Sequence, residues 1–571
     1  MLNLKEKPFC LSDEDIQWVQ ETLSGMSEED RIRQLFCLIT YNDSEDYCRY
    51  IAEQVRPGGF MSRVMPLEEC VSAVERMQKY SRIPMLVAAN FEAGGNGMVA
   101  DGTVLGKPLE IAATDDVEQA RRLGEVCGAE GAAVGANWAF APIIDIDYNW
   151  RNPITNTRTF GSDPVRVREM GKAYVEEVQK HGLAASIKHF PGDGRDERDQ
   201  HVAMSINDLS CEEWDATYGA AYRACIEAGA LTVMVGHILQ PAWSRHFRPG
   251  IADREILPAS VSYELVTKLL RERLGFNGLV ITDSSTMAGV ATLVPRRKMV
   301  PMTIAAGNDM FLFTKNLDED FGFMMDGYRE GVFSEERLNE AVTRILALKA
   351  HLKLHIRKRE GTLVPKAEEA RKIVGQEKFM AYSRECADKA ITLVKEESGV
   401  LPLSPAKYPR VLFYSLEPKE DGLSIFGSGM GANEKFRMSL EKEGFIVDVF
   451  QPSGGFEGMM APVSEITEKY DLIIYAASLQ TKSNQTVVRI EWQNPMGINV
   501  PTYVTDVSTV FVSFENPYHL VDVPHIRTFI NCYCGFDSVV DALTEKLMGL
   551  SEFKGINPVD PFCGKWETRA Y

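Results

Sequence analysis

An N-terminal (β/α)8 TIM-type barrel followed by a C-terminal α/β sandwich domain is the fold that the sequence predicts. Three observations carry it. Eight short apolar runs alternate with helical patterns over the first ~340 residues, the sequence form of parallel strands joined by crossover helices. Polar residues gather at the carboxyl ends of those runs, where a barrel converges its strands on one face. Past a charged connector, five further apolar runs alternate with helices. The expected domains are residues 1–350 for the barrel, 351–390 for a linker and connecting helix, and 391–571 for the sandwich.

The first ~30 residues read as helix, with Ser12 and Asp13 as cap candidates and Trp18, Val19 and Leu23 on one face. Barrel strands are then expected at Gln34–Ile39, Pro57–Met61, Ile83–Asn90, Trp138–Asp145, Ala184–Ile187, Leu231–His237, Gly278–Asp283 and Asp309–Phe313. A helix is expected near 116–134. Another opens at Asp163-Pro164, a cap residue with proline at the first helical position. Its apolar face is Val167, Met170, Tyr174 and Val178, and Gly182 ends it. Lys353, Arg357, Lys358 and Arg359 mark a solvated connector. Sandwich strands follow near Val411–Leu416, Ile446–Phe450, Leu472–Ala476, Thr509–Ser513 and Thr528–Tyr533. Gly427-Ser428-Gly429-Met430-Gly431 does not directly follow a strand, so it reads as a loop and not as a phosphate-binding turn.

The chain has 571 residues, 45% of them hydrophobic and 25% charged, with net charge −19. This is an ordinary soluble composition. The acidic balance argues against nucleic acid or an anionic membrane surface as partner, both of which call for clustered positive charge. The 11 cysteines lack metal spacing and read as small buried thiols in a reducing compartment, with Cys532-Tyr533-Cys534 along one strand. Met1–Lys7 is charged with no apolar stretch behind it, and no apolar run reaches ~18 residues. A cytoplasmic location is therefore expected, with no metal and no cofactor. The oligomeric state is not legible.

The densest chemistry is Lys188–His201, which holds two histidines, a lysine and several acids around Pro191-Gly192 and Gly194. A strand ending in charged residues and continuing as a glycine-bearing loop is how a barrel presents catalytic groups. Asp199 lies two residues before His201. A carboxylate beside an imidazole can orient it and fix its tautomer, which makes a general acid/base. The plain alternative is a polar surface loop. Asp283 ends the seventh run. It reads as a cap for the next helix or as a carboxylate nucleophile at an anomeric carbon. Asn90, Glu92, Asp145, Lys188, His189, His237 and Asp283 all fall at carboxyl ends of predicted strands.

These segments resemble glycoside hydrolase family 3, in its branch of bacterial β-N-acetylglucosaminidases. Asn137–Asp145 is similar to the family's N-x-x-F-A-P-V-x-D, and Arg158-Thr159-Phe160-Gly161 to its R-S-F-G. Lys188–Gly192 with Asp199-x-His201 resembles K-H-F-P-G…D-S-H. Gly236-His237 resembles the A-H strand end, and Thr282-Asp283 with Met287 resembles T-D-x-x-x-M. Ile391–Lys395, Leu401-Pro402-Leu403 and Phe514–Tyr518 resemble parts of the family's second domain. The chain departs from the pattern at Asp193, at Gln200, and at Asn90, where the family has an aspartate.

The resemblance implies a retaining, exo-acting β-N-acetylhexosaminidase that hydrolyses terminal β-linked N-acetylglucosamine-type sugars through a glycosyl-aspartate. Asp283 would be the nucleophile and His201, held by Asp199, the acid/base. Arg158, Lys188, His189, Asn90 and His237 would contact the carbohydrate. Two alternatives stand beside it: a β-N-acetylglucosaminide phosphorylase, and a non-catalytic sugar-binding protein on the same fold.

Overall fold

The computed structural model describes residues 2–40, 42–418, 430–451, 462–494 and 497–571. Gly427–Gly429 of the glycine-rich stretch lie outside them. The chain divides into two compact units. One comprises 1–105, 120–155 and 164–380, the other 106–119, 156–163 and 381–571.

The first unit is built on eight parallel strands: β1 (Phe36–Ile39), β2 (Gly59–Met61), β3 (Leu86–Ala89), β4 (Trp138–Ala139), β5 (Ala184–Phe190), β6 (Thr232–Val235), β7 (Leu279–Thr282) and β8 (Phe311–Leu312). Their order is β8-β1-β2-β3-β4-β5-β6-β7. A parallel bridge between Ile281 and Met310 joins the two ends of that order, so the sheet closes on itself. The register is continuous, for instance Leu38 opposite Phe60 and Val233 opposite Val280. Strands β3, β5, β6 and β7 are buried along their whole length, as expected where helices cover a parallel sheet from outside.

Local signals set the helices. Ser12 accepts from Asp15 N and forms a capping box at the start of the Asp13–Ser24 helix. The Val117–Ala133 and Pro164–Lys180 helices fall where the periodicity puts them. In the latter, Val167, Met170, Tyr174 and Val178 are buried, and Gly182 past its end takes the left-handed φ of +83°. Strand β5 is longer than the expected Ala184–Ile187, so Lys188 and His189 lie on the strand itself. Strand β4 is shorter than expected. Its pairing with β5 resumes only as an Ile143–Lys188 bridge, because Pro142 has no N–H to give the ladder.

The second unit holds a six-stranded sheet of β9 (Thr392–Lys395), β10 (Arg410–Leu416), β11 (Ile446–Val449), β12 (Leu472–Ala477), β13 (Ser508–Ser513) and β14 (Thr528–Asn531). The order is β9-β14-β13-β12-β10-β11. All pairs are parallel except β9 with β14. Apolar clusters lie on both faces, one around Phe413, Phe436 and Phe514, the other around Tyr414, Tyr475 and Phe511. Strand β14 stops at Asn531, so Cys532-Tyr533-Cys534 lies beyond the strand and not along it. Tyr533 has φ of +66°, which an extended strand cannot contain. None of the 11 cysteines is in a disulfide; Cys10 is exposed, Cys211 and Cys563 are half-buried, and the rest are buried. Among the described residues, no helix is long and apolar enough to cross a membrane.

Candidate active site

The barrel unit gathers its polar groups at the carboxyl ends of β3 to β7. Asp283 is the first residue past β7, where its N–H donates to Val235 O on the neighbouring strand (2.8 Å). Its carboxylate accepts from Ser284 N (2.7 Å) and stands 3.9 Å from His189 Nε2. Burial is the largest influence on this acid and pushes its pKa up. The imidazoles of His189, His237 and His201, with the Ser284 amide, pull harder together and hold it below the usual carboxylate value. Asp283 is therefore an ionised, partly desolvated carboxylate, 8% exposed. That state suits a nucleophile.

Each neighbouring histidine has its Nδ1 engaged. His189 lies near the carboxyl end of β5, and its Nδ1–H donates to Asp145 Oδ2 (2.7 Å), which turns Nε2 toward Asp283. Asp145 also accepts from the backbone N–H groups of His189 (3.0 Å) and Asp193 (2.8 Å). His237, past β6, is fully buried. Its Nδ1 meets Ser260 Oγ (2.7 Å) and its Nε2 meets Ser284 O (2.8 Å). A carbonyl only accepts, so Nε2 carries the proton and Ser260 donates to Nδ1. Burial lowers the His237 pKa and keeps this neutral tautomer. Both ring nitrogens of His237 are thus committed to protein, and its ring holds the peptide that follows Asp283.

Lys188 is 3% exposed and its Nζ pairs with Glu92 Oε1 (2.8 Å) at the end of β3. Asn90, one residue past β3, is exposed. Arg158 is in a 3-10 turn, Asn156–Arg158, that belongs to the second unit. There Asn156 Nδ2 donates to Asn516 Oδ1 (3.2 Å). The barrel unit alone therefore brings His189, His201 and His237 around Asp283, with Asp199 on His201; it also carries Lys188 and Asn90 at strand ends, and Arg158 is carried by the other unit.

The 191–204 loop brings the last pair. Asp199 is buried, and its Oδ1 accepts both from His201 N (2.8 Å) and from His201 Nδ1 (2.6 Å). The His201 side chain is 24% exposed. With Nδ1–H fixed on the carboxylate, Nε2 is the nitrogen left for proton transfer. The loop is anchored to its surroundings: Trp214 Nε1 donates to Pro191 O (2.8 Å), Tyr218 OH to Asp193 O (2.7 Å), and Asn152 Nδ2 to Asp196 O (2.9 Å).

Three groups that matter here carried little signal in the sequence. Asn152 donates to Asp193 Oδ1 (2.9 Å) from a loop with no motif. Ser260 sits in a connector. Gln200 drew notice only as a departure from a family pattern. It is fully buried, accepting from His237 N (2.7 Å) and donating to Asp193 Oδ2 (3.2 Å). Asp193 itself is buried, and its pKa is pushed up to about 7, by burial first and then by the Asp145 carboxylate. Among the described residues, no group of three or more His, Cys, Asp or Glu is placed to hold a metal ion.

The closed barrel thus holds a desolvated carboxylate past β7 and a carboxylate-held imidazole on the β5 loop. Residues 51–348 match the glycosyl hydrolase family 3 N-terminal domain. The chain belongs to that family and is a glycoside hydrolase acting on carbohydrate. It is 53% identical over 570 residues, the full length of both chains, to the "Beta-N-acetylglucosaminidase/beta-glucosidase" of Cellulomonas fimi. It is 44% identical to the solved structure titled "Beta-glucoside phosphorylase BglX", covering 99% of each chain with a TM-score of 0.92. A family 3 β-N-acetylglucosaminidase from Paenibacillus sp. str. FPU-7 shares the fold at 22% identity and TM-score 0.79, over 94% of this chain and 99% of that one.

Proposed function

We propose that the protein cleaves terminal β-linked hexosides, N-acetylglucosaminides foremost, by double displacement with retention. The observation that carries this reading is the ionised, imidazole-flanked Asp283 together with the Asp199-held His201. In the first step an Asp283 oxygen attacks the anomeric carbon, and the bond to the leaving oxygen breaks as His201 Nε2 donates its proton to that oxygen. Before the transfer the imidazole carries both N–H protons and a positive charge that Asp199 balances; after it the ring is neutral. In the second step neutral His201 takes a proton from the incoming acceptor, whose oxygen displaces Asp283. His189, fixed by Asp145, and Lys188, fixed by Glu92, face the sugar hydroxyls. His237 acts one step back, through the Ser284 peptide. Asp283→Ala removes the nucleophile and is expected to abolish turnover with the melting temperature nearly unchanged; near-parental turnover would overturn the assignment.

Water is the acceptor in hydrolysis. A second reading, phosphorolysis, has an observation in its favour: the acid/base is an imidazole, which is uncharged when it has given up its proton. A carboxylate in that place would repel an incoming phosphate, and an imidazole does not. The 44% identity to a chain titled as a β-glucoside phosphorylase supports the same reading. A panel of aryl β-N-acetylglucosaminide, β-N-acetylgalactosaminide and β-glucoside, run with and without phosphate, decides both questions. Free sugar in phosphate marks hydrolysis; sugar 1-phosphate formed in proportion to phosphate marks phosphorolysis. No cleavage of any substrate would leave only a sugar-binding role.

A further inference from the structure

The acid/base histidine and the nucleophile stand on different loops, one after β5 and one after β7. A double displacement fixes the separation of its two groups, because both must reach one glycosidic bond. Two consecutive main-chain bonds join these loops. Ala288 N donates to His201 O (3.0 Å), and Gly289 N donates to Gln200 O (3.0 Å). Ala288 and Gly289 open the short helix that follows the Asp283 turn. The approach is too close for a side chain: a Cβ at Gly289 would lie 2.6 Å from Gln200 O and 3.2 Å from Ala203 O. The Gln200 side chain adds two more ties, accepting from His237 N and donating to Asp193. His237 in turn holds Ser284 O, beside the nucleophile.

We propose that Gln200 and the amides of Ala288 and Gly289 form a clamp that sets the acid/base histidine at a fixed distance from the nucleophile. They are positioning residues: the Ala288 and Gly289 amides and the Gln200 side chain are all spent on protein partners. The inference rests on the reading of His201 as acid/base, and a glutamine directly before that histidine gains a role that a shorter serine or threonine has no reach to fill. Releasing the clamp should weaken proton donation to the leaving group and leave the attack by Asp283 largely intact.

The sharpest probe is Ala288→Pro. Ala288 is the first residue of its helix, where proline's fixed φ fits and its missing N–H breaks no helical bond. Met287 before it is already extended, at φ −69° and ψ 140°. The substitution therefore deletes the N–H given to His201 O and puts the ring Cδ in its place, which forces the His201 carbonyl away and opens the clamp at that point. Gln200→Glu is the second variant; it keeps an acceptor for His237 N and loses the donor to Asp193. Both are compared with the parent and with His201→Ala in the full-length chain. The measurement is kcat/KM on phenyl, 4-nitrophenyl and 2,4-dinitrophenyl β-glycosides, which reports the first bond-breaking step. Phenol needs a proton to depart and dinitrophenol does not. The clamp variants are expected to lose ~10-fold or more on the phenyl glycoside, a fraction of the ~10²–10⁴ that such proton transfer supplies. On the dinitrophenyl glycoside they should lose less than ~3-fold, so that dependence on the leaving group steepens toward that of His201→Ala. An equal loss on all three substrates, or no loss, with His201→Ala steepening as expected, overturns the clamp alone. A His201→Ala enzyme with no steepening overturns the acid/base reading itself, and the clamp with it.

Discussion

At the scale of single residues, the two buried carboxyls Asp283 and Asp193 differ in state for a physical reason. Asp283 faces imidazoles and stays ionised; Asp193 faces the Asp145 carboxylate and is pushed up to about 7. In the unfolded chain Asp193 titrates near ~3.9. Between those values the folded protein binds a proton that the unfolded protein has released, so this group makes stability fall as pH rises from about 4 to about 7, and then level off. Asp193→Asn removes the titration. Its melting temperature, followed from pH 4 to 8, is expected to vary less than the parent's, whatever the offset from losing the acceptor for Gln200. Parallel profiles would show that Asp193 is ionised throughout. The sequence located Asp193 only as an oddity, because nothing local announces that Asp145, 48 positions away, will lie beside it.

At the scale of elements, the loop after β5 depends on backbone conformations that glycine alone supplies cheaply. Gly192 has φ +117°, and a Cβ there would lie 2.1 Å from the ring of Tyr218. Gly194 has φ +105°, and a Cβ would lie 1.9 Å from Ile146 O. Gly194→Ala therefore meets both backbone strain and a carbonyl that cannot retreat, and is expected to cost more than ~2 kcal/mol in denaturant unfolding. Turnover should fall with it, because the same loop carries Asp199 and His201. The Pro191-Gly192 turn was legible as a strand breaker. The length of β5 was not, since Lys188 and His189 look like loop residues until their partners Glu92 and Asp145 are seen to bury them.

At the scale of the whole barrel unit, closure depends on the join between β7 and β8. Asp309 N and Met310 N both donate to Val280 O, and Asp309 Oδ2 accepts from Val280 N (2.9 Å). The fully buried carboxylate is met by Arg271 (2.6 Å), Arg337 and Arg344 (3.4 Å). Burial raises its pKa, but the three guanidiniums outweigh that and hold it below the usual value. Asp309→Ala leaves three cations around an empty place and is expected to destabilise by ~3–5 kcal/mol. Because this cluster precedes β8, at the end opposite Asp283, the loss should appear in the melting temperature and not in the leaving-group dependence of turnover. The depressed pKa gives the sign with pH: the contribution is present above ~4 and fades as pH falls through the folded-state value.

The sequence by itself determined the eight barrel strands, their alternation with helices and five of the six sandwich strands; the antiparallel edge strand β9 was not among them. Period and punctuation are local, and a buried parallel strand is written as an uninterrupted apolar run. It also placed His201 beside Asp199, because that pair is two residues apart on one loop. What only the tertiary structure decided is which distant groups meet: Asp145 behind His189, Glu92 on Lys188, Ser260 and Ser284 on either side of His237, and Gln200 between His237 and Asp193. It also assigned the 106–119 and 156–163 segments, with Arg158, to the second unit. The reason is the same in each case. Charge state and orientation are set by neighbours in space, and closing a barrel makes neighbours of residues that no sequence window holds together.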